Sequence, residues 1–440
     1  MDLTTFLPQL GGGLYTLIAF VVSLSIIVAI HEYGHYIVGR WCGIHAEVFS
    51  LGFGPVLFSR VDRRGTIWQI ADLPFGGYVK FLGEANAASV GGTDTVAGRD
   101  ARHTMAGAPL WARALTVAAG PVFNFILAVV LIAGYMMTVG SPREPLTYKD
   151  EVLLPPAYAS DLAAGDEILR VGDRDMTADA ALDDLPITDR VDYTVRRDGQ
   201  EMVVQGPYPI PPRAAGVTPR SAADDAGIRV GDVITGIDGT PVFAFDQIID
   251  KVNAADGRDL ALTVWRDGDT REVTLAPRRM DLPRPEGGFE TRWLIGISGD
   301  LFFDTRNEAV APWTAVWIGL QSLWQILTTT LSGLSHMIAG DISTCNLSGP
   351  IGIAQTSASM AGQGALSYFM FIAQLSVGVG LLNLFPIPIL DGGHLVFHAY
   401  EAVTRRKPSD RAINVLMFGG LAIILSLMLF TIFNDLILCP

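Results

Sequence analysis

His31, Glu32 and His35 stand in the order His-Glu-Tyr-Gly-His at the end of the apolar stretch Leu14 to Ile30. On a helix, positions i and i+4 share a face, so the two imidazoles can grip one Zn2+ while Glu32 points beside it, able to hold a water. With only seven histidines in 440 residues, chance would give a HExxH in roughly one chain in a few hundred. Ionisable groups at the end of an apolar helix are costly in lipid, so function is favoured over histidines that merely cap the helix at the interface.

A catalytic zinc needs a third protein ligand and one open position. Asp391 can supply the ligand: it follows Asn383-Leu384-Phe385-Pro386-Ile387-Pro388-Ile389-Leu390 and precedes Gly392-Gly393-His394. Two prolines two apart break a helix and free main-chain carbonyls, and such backbone is tolerated at membrane depth only inside a protein site. His394 and His398 form a second i, i+4 pair that competes for the metal. The aspartate is favoured because it directly follows the break and because a carboxylate offsets one zinc charge where the dielectric is low. His398 also lies roughly 10 Å further along a helix. The expected site is one Zn2+ per chain on His31, His35 and Asp391, with Glu32 beside it able to hold a water.

The elements that must position these residues follow from hydropathy. Half the side chains are apolar and the mean hydropathy is +0.35, which excludes an ordinary soluble enzyme and fits a multi-pass membrane protein with a soluble insert. Four stretches can cross a bilayer: Leu14 to about Val38, Leu115 to Val139, Leu366 to Leu390 and Ile413 to Leu438. The first lacks the basic start and small-residue cleavage site of a signal peptide and stays as a span. A fifth candidate, Trp313 to Ile338, carries Gln321, Gln325, Thr328 to Thr330 and His336. If it crossed, Arg405, Arg406 and Lys407 would fall outside, so it reads as an amphipathic helix on the outer surface or under the insert.

Of the net charge of −14, residues 142 to 310 contribute −13, from 32 acidic and 19 basic side chains. Nucleic acid is thereby excluded as a partner. The other twelve Lys and Arg lie between Arg40 and Arg113 and between Arg405 and Arg411. By the positive-inside rule both segments are cytoplasmic and the insert is on the opposite side, which is the periplasm if the membrane is the inner membrane of a Gram-negative bacterium. The three cysteines suggest neither a disulfide framework nor a thiolate zinc site, and leave open one outer-side pair of Cys345 with Cys439.

After the first span, Ile44 to Glu84 predicts short strands broken by glycines, at Glu47 to Leu51, Gly52 to Gly54, Ile67 to Leu73 and Phe75 to Lys80. An exposed strand edge beside the metal helix could pair with an extended substrate, or the hairpin could only pack; the residues leave both open. Ala85 to Ala108 reads as a flexible loop. Gly120, Pro121 and Asn124 in the second span mark a kink and a buried hydrogen bond, with packing and chemistry equally open for Asn124.

The insert repeats itself. Ala164 to Asp173 answers Val230 to Gly239 at an offset of 66, and Thr194 to Gly199 answers Thr263 to Gly268 at 69. The Gly-Asp-x-Ile-x-x-Ile-Asp-Gly run resembles a PDZ domain, which takes peptide ends by β-augmentation. The second copy is the clearer, and the approach to the first, Ala159 to Ala164, is shortened.

The fold class expected is a multi-pass α-helical membrane protein of about four spans, with membrane-associated β-hairpins and a periplasmic tandem PDZ (α+β) insert. The parts expected are a first span (1–40), hairpins and loop (41–113), a second span (114–140), PDZ-like copies (141–212 and 213–280), an amphipathic-helix region (281–362), a third span (363–398), a cytoplasmic loop (399–411) and a fourth span (412–440).

Together the HExxH, the Gly76-Gly77-Tyr78-Val79-Lys80 run, Gly120-Pro121 with Asn124, the tandem insert, Asn346 to Ile351 and Leu390-Asp391-Gly392-Gly393-His394 resemble the site-2 protease family of intramembrane zinc metalloproteases. The resemblance covers nearly the whole chain. It implies zinc on His31, His35 and Asp391, Glu32 as base, Asn383 holding substrate backbone or oxyanion, and Gly76, Gly77 and Tyr78 in a substrate-clamping strand. It also implies single-span substrates already trimmed on the outer side, such as an anti-sigma factor, or signal-peptide remnants. The rival from another class is a non-catalytic membrane scaffold whose PDZ pair tethers peptide ends; an intact Glu32 and Asp391 argue against it.

Overall fold

The computed structural model describes residues 12–83, 102–142, 145–151, 153–176, 185–284, 288–305 and 307–438. Most of the loop expected at Ala85 to Ala108 therefore lies outside the described residues, as does Cys439. Helix α1 (Gly12–Trp41) leads into a hairpin of β1 (Ala46–Val61) and β2 (Ile67–Phe81), followed by α2 (Leu110–Val139). The chain divides into two compact units, one running to Tyr135 with Pro312–Ser332 and Leu347 onward, the other comprising Met136–Ala311 and Gly333–Asn346.

Four helical segments are long and apolar enough to cross a membrane: Gly12–Trp41, Leu110–Val139, Ala365–Asn383 and Arg411–Leu438. The hairpin differs from the expected string of short strands. Positive φ at Gly52 (+89) and Gly54 (+88) bends β1 without ending it, because a glycine kink or bulge redirects a strand while pairing continues on either side. Leu51 consequently pairs with both Ile70 and Gly77, whereas Phe53 to Val61 pair only with the first half of β2.

In the second unit the sequence repeat becomes a structural one. Strands β3 (Glu167–Val171), β4 (Arg174–Asp175), β5 (Val191–Arg197) and β6 (Gln200–Gly206) form a sheet of order β4-β3-β5-β6. Strands β7 (Val233–Ile237), β8 (Thr240–Pro241), β9 (Leu260–Arg266) and β10 (Asp269–Leu275) form another of order β8-β7-β9-β10, with α3 (Phe245–Ala254) between β8 and β9. Ile168, Val171, Tyr193 and Val195 are fully buried, and so are their counterparts Ile234, Ile237, Leu262 and Val264. Even the register shift recurs, at Ile168/Arg170 and at Ile234/Gly236. Core residues at the same strand positions are what a repeated fold requires of its sequence.

After the second sheet come the longer helices α4 (Pro312–Ala339), α5 (Pro350–Gly362), α6 (Ala365–Asn383), α7 (Asp391–Thr404) and α8 (Asp410–Phe433). The first part of α4 packs on α2 and α6. Ala315 is buried, a methyl on Gly319 would lie 2.9 Å from the Val129 carbonyl, and Leu323, Ile326 and Leu327 join the Ala128, Ile132, Ala373 and Val377 cluster. Small residues one turn apart permit this approach, while Trp313, Trp317 and Trp324 remain exposed.

The third span ends at Asn383, seven residues before the expected Leu390, because Pro386 and Pro388 cannot continue it. Past α8, the Asp435 carboxylate accepts from the main-chain N–H of Gly349 (3.1 Å) and Gly352 (2.9 Å), capping the start of α5. Cys345 is disulfide-bonded and Cys42 is a free thiol.

Candidate active site

Two residues without side chains bring α1 and α2 together. A methyl on Gly34 would lie 2.5 Å from the Ala119 carbonyl, and one on Gly120 would strike the His35 ring and lie 2.8 Å from His31 Cε1. Both imidazoles therefore rest against the α2 backbone. Gly392 and Gly393 play the same part for α7: a methyl on either would collide with the main chain between Leu384 and Pro388. The first turn of α7, carrying Asp391, can thus fold back against the proline break. Arg113 of α2 donates to both carboxylate oxygens of Glu401 on α7, at 3.0 and 2.8 Å, a planar fork that fixes the two helices.

The result is a triangle of donor atoms. His31 Nε2 lies 3.1 Å and His35 Nε2 3.4 Å from Asp391 Oδ2, and the two Nε2 atoms are 3.2 Å apart. Zinc bonds of 2.0–2.1 Å in a tetrahedron put neighbouring ligand atoms about 3.3 Å apart, so these donors fit one face of such a site and leave the fourth position open. Asp391 Oδ2 is buried and, although within ion-pair reach of both imidazoles, receives no hydrogen bond of good geometry. His35 Nδ1 stands 2.8 Å from the Thr116 carbonyl. A carbonyl can only accept, so Nδ1 carries the proton and Nε2 keeps the lone pair a metal needs.

Glu32, Gly77, Tyr78 and Asn383 line the same cavity of about 540 Å3 as the three donors. Strand β2 presses on α1 here: a methyl at Gly77 would be 3.1 Å from Glu32 Cγ and 2.8 Å from the Ser50 carbonyl, and the Val79 N–H hydrogen-bonds the Glu32 carboxylate. Gly76 is not in the lining and instead lies against the Phe53 ring. His394 and His398 line the cavity, but among the described residues the group able to share a metal is His31, His35 and Asp391, all within 4.8 Å.

Sequence reasoning missed the Thr116 carbonyl, for which no residue type could give a signal, and the Arg113–Glu401 fork. A cation at the start of an apolar span was the available hint for the latter.

The family model described as Peptidase family M50 matches residues 19–427. The chain belongs to peptidase family M50. It is a membrane metalloprotease, which sets the scaffold alternative aside. A Rhizobium meliloti protein named for zinc metalloprotease activity is 34% identical over 425 residues, 96% of each chain. Regulator of sigma-E protease RseP of Salmonella typhimurium is 32% identical, covering 96% of this chain and 98% of its own. Protease RseP of Yersinia pestis matches at the same identity and coverage.

Proposed function

We propose that the protein is a zinc-dependent endopeptidase that cuts the membrane segment of single-span proteins. The observation that carries the reading is the open triangle of His31, His35 and Asp391 with Glu32 on the wall of the same cavity, built on helices long enough to cross a bilayer.

Zinc held there supplies Lewis acidity to a peptide carbonyl and brings the pKa of water towards neutrality. Glu32 takes the proton of the attacking water and later gives it to the leaving amine. The Val79 N–H steadies the carboxylate in that role. Asn383 donates to the substrate backbone or oxyanion, and the strand at Gly76, Gly77 and Tyr78 receives the substrate in extended form. A membrane helix hides its carbonyls in hydrogen bonds, so the substrate must unwind first, which small or helix-breaking residues ease.

Placement follows the charge bias: the enzyme lies in an inner membrane, its site towards the cytoplasm and the PDZ-like pair in the periplasm. A disulfide at Cys345 and a free Cys42 support opposite, oxidising and reducing, sides for those segments. The Salmonella relative is named a regulator of sigma-E protease; on the family resemblance the substrate is an anti-sigma factor already trimmed outside, or a signal-peptide remnant.

The test is zinc content and cleavage of a single-span substrate by the purified full chain and by Glu32→Gln. The variant should keep zinc and lose cleavage, because glutamine cannot accept the water proton while all three ligands remain. Appreciable turnover by Glu32→Gln would remove Glu32 from the base role.

A further inference from the structure

Helix α2 meets the two histidines at three positions on one face, Thr116, Gly120 and Asn124, spaced i, i+4, i+8. Thr116 settles the tautomer of His35 through its carbonyl. Gly120 makes room for the rings. Asn124 is fully buried, its own carbonyl accepts from Ser376 Oγ at 2.9 Å, and its side-chain Nδ2 stands 3.2 Å from His31 Nδ1. Asn124 Oδ1 is buried with no partner.

The contact with His31 can be made in two ways. With Nδ2 donating, His31 Nδ1 must accept, the ring proton sits on Nε2, and Nε2 has no lone pair for a metal. With the amide turned over, Oδ1 accepts from Nδ1–H and Nε2 is free. Either way one amide atom stays unpaired, so the count of hydrogen bonds does not choose between them. The donor triangle does, because His31 Nε2 sits 3.1 Å from Asp391 Oδ2 and 3.2 Å from His35 Nε2, where it can join a metal only as a lone-pair donor.

We infer that Asn124 is a positioning residue that presents Oδ1 to His31 Nδ1–H and so holds His31 in the metal-ligating tautomer. Together with the Thr116 carbonyl it makes α2 the element that sets the protonation pattern of both histidines from behind. The inference rests on the zinc reading of the site, and it separates Asn124 from a purely packing role.

The experiment is a competitive chelator titration of zinc on the full chain in detergent, using the monodisperse folded fraction. Four proteins are compared: wild type, Asn124→Leu, Asn124→Asp and His31→Ala. Asn124→Leu keeps much of the side-chain volume but accepts no hydrogen bond, and should bind zinc about ten- to a hundredfold more weakly. Asn124→Asp can accept but not donate, and should bind at least as tightly as wild type. With Co2+ in place of zinc, the visible ligand-field bands should match wild type in Asn124→Asp and shift in Asn124→Leu.

Wild-type affinity in Asn124→Leu overturns the assignment. So does loss of affinity in Asn124→Asp, which is what a donating Nδ2 would give and which can be read even if the leucine variant does not fold. His31→Ala separates the two levels. Unchanged zinc affinity in that variant overturns the zinc reading itself and this inference with it, whereas weakened binding there beside an unaffected Asn124→Leu overturns the Asn124 assignment alone.

Discussion

Asp166 in the insert and Asp391 beside the HExxH helix are both carboxylates withdrawn from water, with side chains 1% and 18% exposed. Asp166 takes a two-pronged contact from Arg197, at 2.7 and 2.6 Å, and a further hydrogen bond from the Ala163 N–H. Its counterpart in the second copy, Asp232, does the same with Arg266 at 2.5 and 2.6 Å and with the Arg229 N–H. Asp391 faces two imidazole nitrogens and has an oxygen that accepts no well-formed hydrogen bond. A buried charge whose lone pairs are all engaged holds a fold together; one left with a free lone pair facing other donors is poised for a ligand.

The largest effect should come from removing the Asp391 carboxylate. Asp391→Ala should lose both zinc and cleavage, while His398→Ala keeps both and His394→Ala loses at most some affinity. Metal analysis beside a cleavage assay reads all three. Full zinc occupancy in Asp391→Ala with metal loss in His394→Ala would hand the third position to the histidine.

The two regions also differ in how legible they are in the amino-acid sequence. HExxH and Asp391 are visible because helical spacing and a double-proline break are local patterns, and the repeat is visible because the same core positions recur. The carboxylates could not be ranked that way. That Asp166 meets Arg197 and Asp232 meets Arg266 depends on strand pairing across some thirty residues, and Asp435 finds α5 across more than eighty. The Thr116 carbonyl carries no side-chain signature at all. Gly52 and Gly54 look like strand ends in sequence because glycine interrupts the alternation, yet in the fold they bend a continuing strand.

Removing the insert asks whether its charges serve the fold alone or also substrate choice. Deleting about residues 142 to 280 should leave the zinc site intact and let untrimmed substrates be cut alongside trimmed ones. Unchanged discrimination between the two in a cleavage assay would argue against a gating role.

A smaller effect separates the two copies. Arg197→Ala leaves Asp166 buried without its cation and should measurably destabilise the first copy. Arg266→Ala should cost less, because Arg271 already lies 3.3 Å from Asp232 Oδ2 and can take over part of the pairing. Hydrogen exchange of the β5 and β9 amides in the full chain measures both. Equal losses would show that Arg271 gives no support.

The smallest effect is a matter of pH. Burial acts to raise the Asp166 carboxyl, but the Arg197 hydrogen bonds and charge, with the Ala163 N–H, outweigh it and hold the group below the ordinary carboxylate range. A carboxylate whose pKa is lower folded than unfolded stabilises the fold fully above the unfolded value, about pH 4, and loses that contribution as pH falls through the folded value. Wild type should therefore lose stability in the first copy as the pH drops below about 4, and Asp166→Asn, which has no proton to gain, should start less stable and fall less steeply. Asp281, held low in the same way by Thr291, Ser343 and Asn346 against the opposing effect of burial, contributes to the slope of both proteins. The difference between the two slopes is thus the quantity to read, by exchange of the β5 amides. Identical slopes would mean that the Arg197 fork does not set the acid sensitivity of this copy.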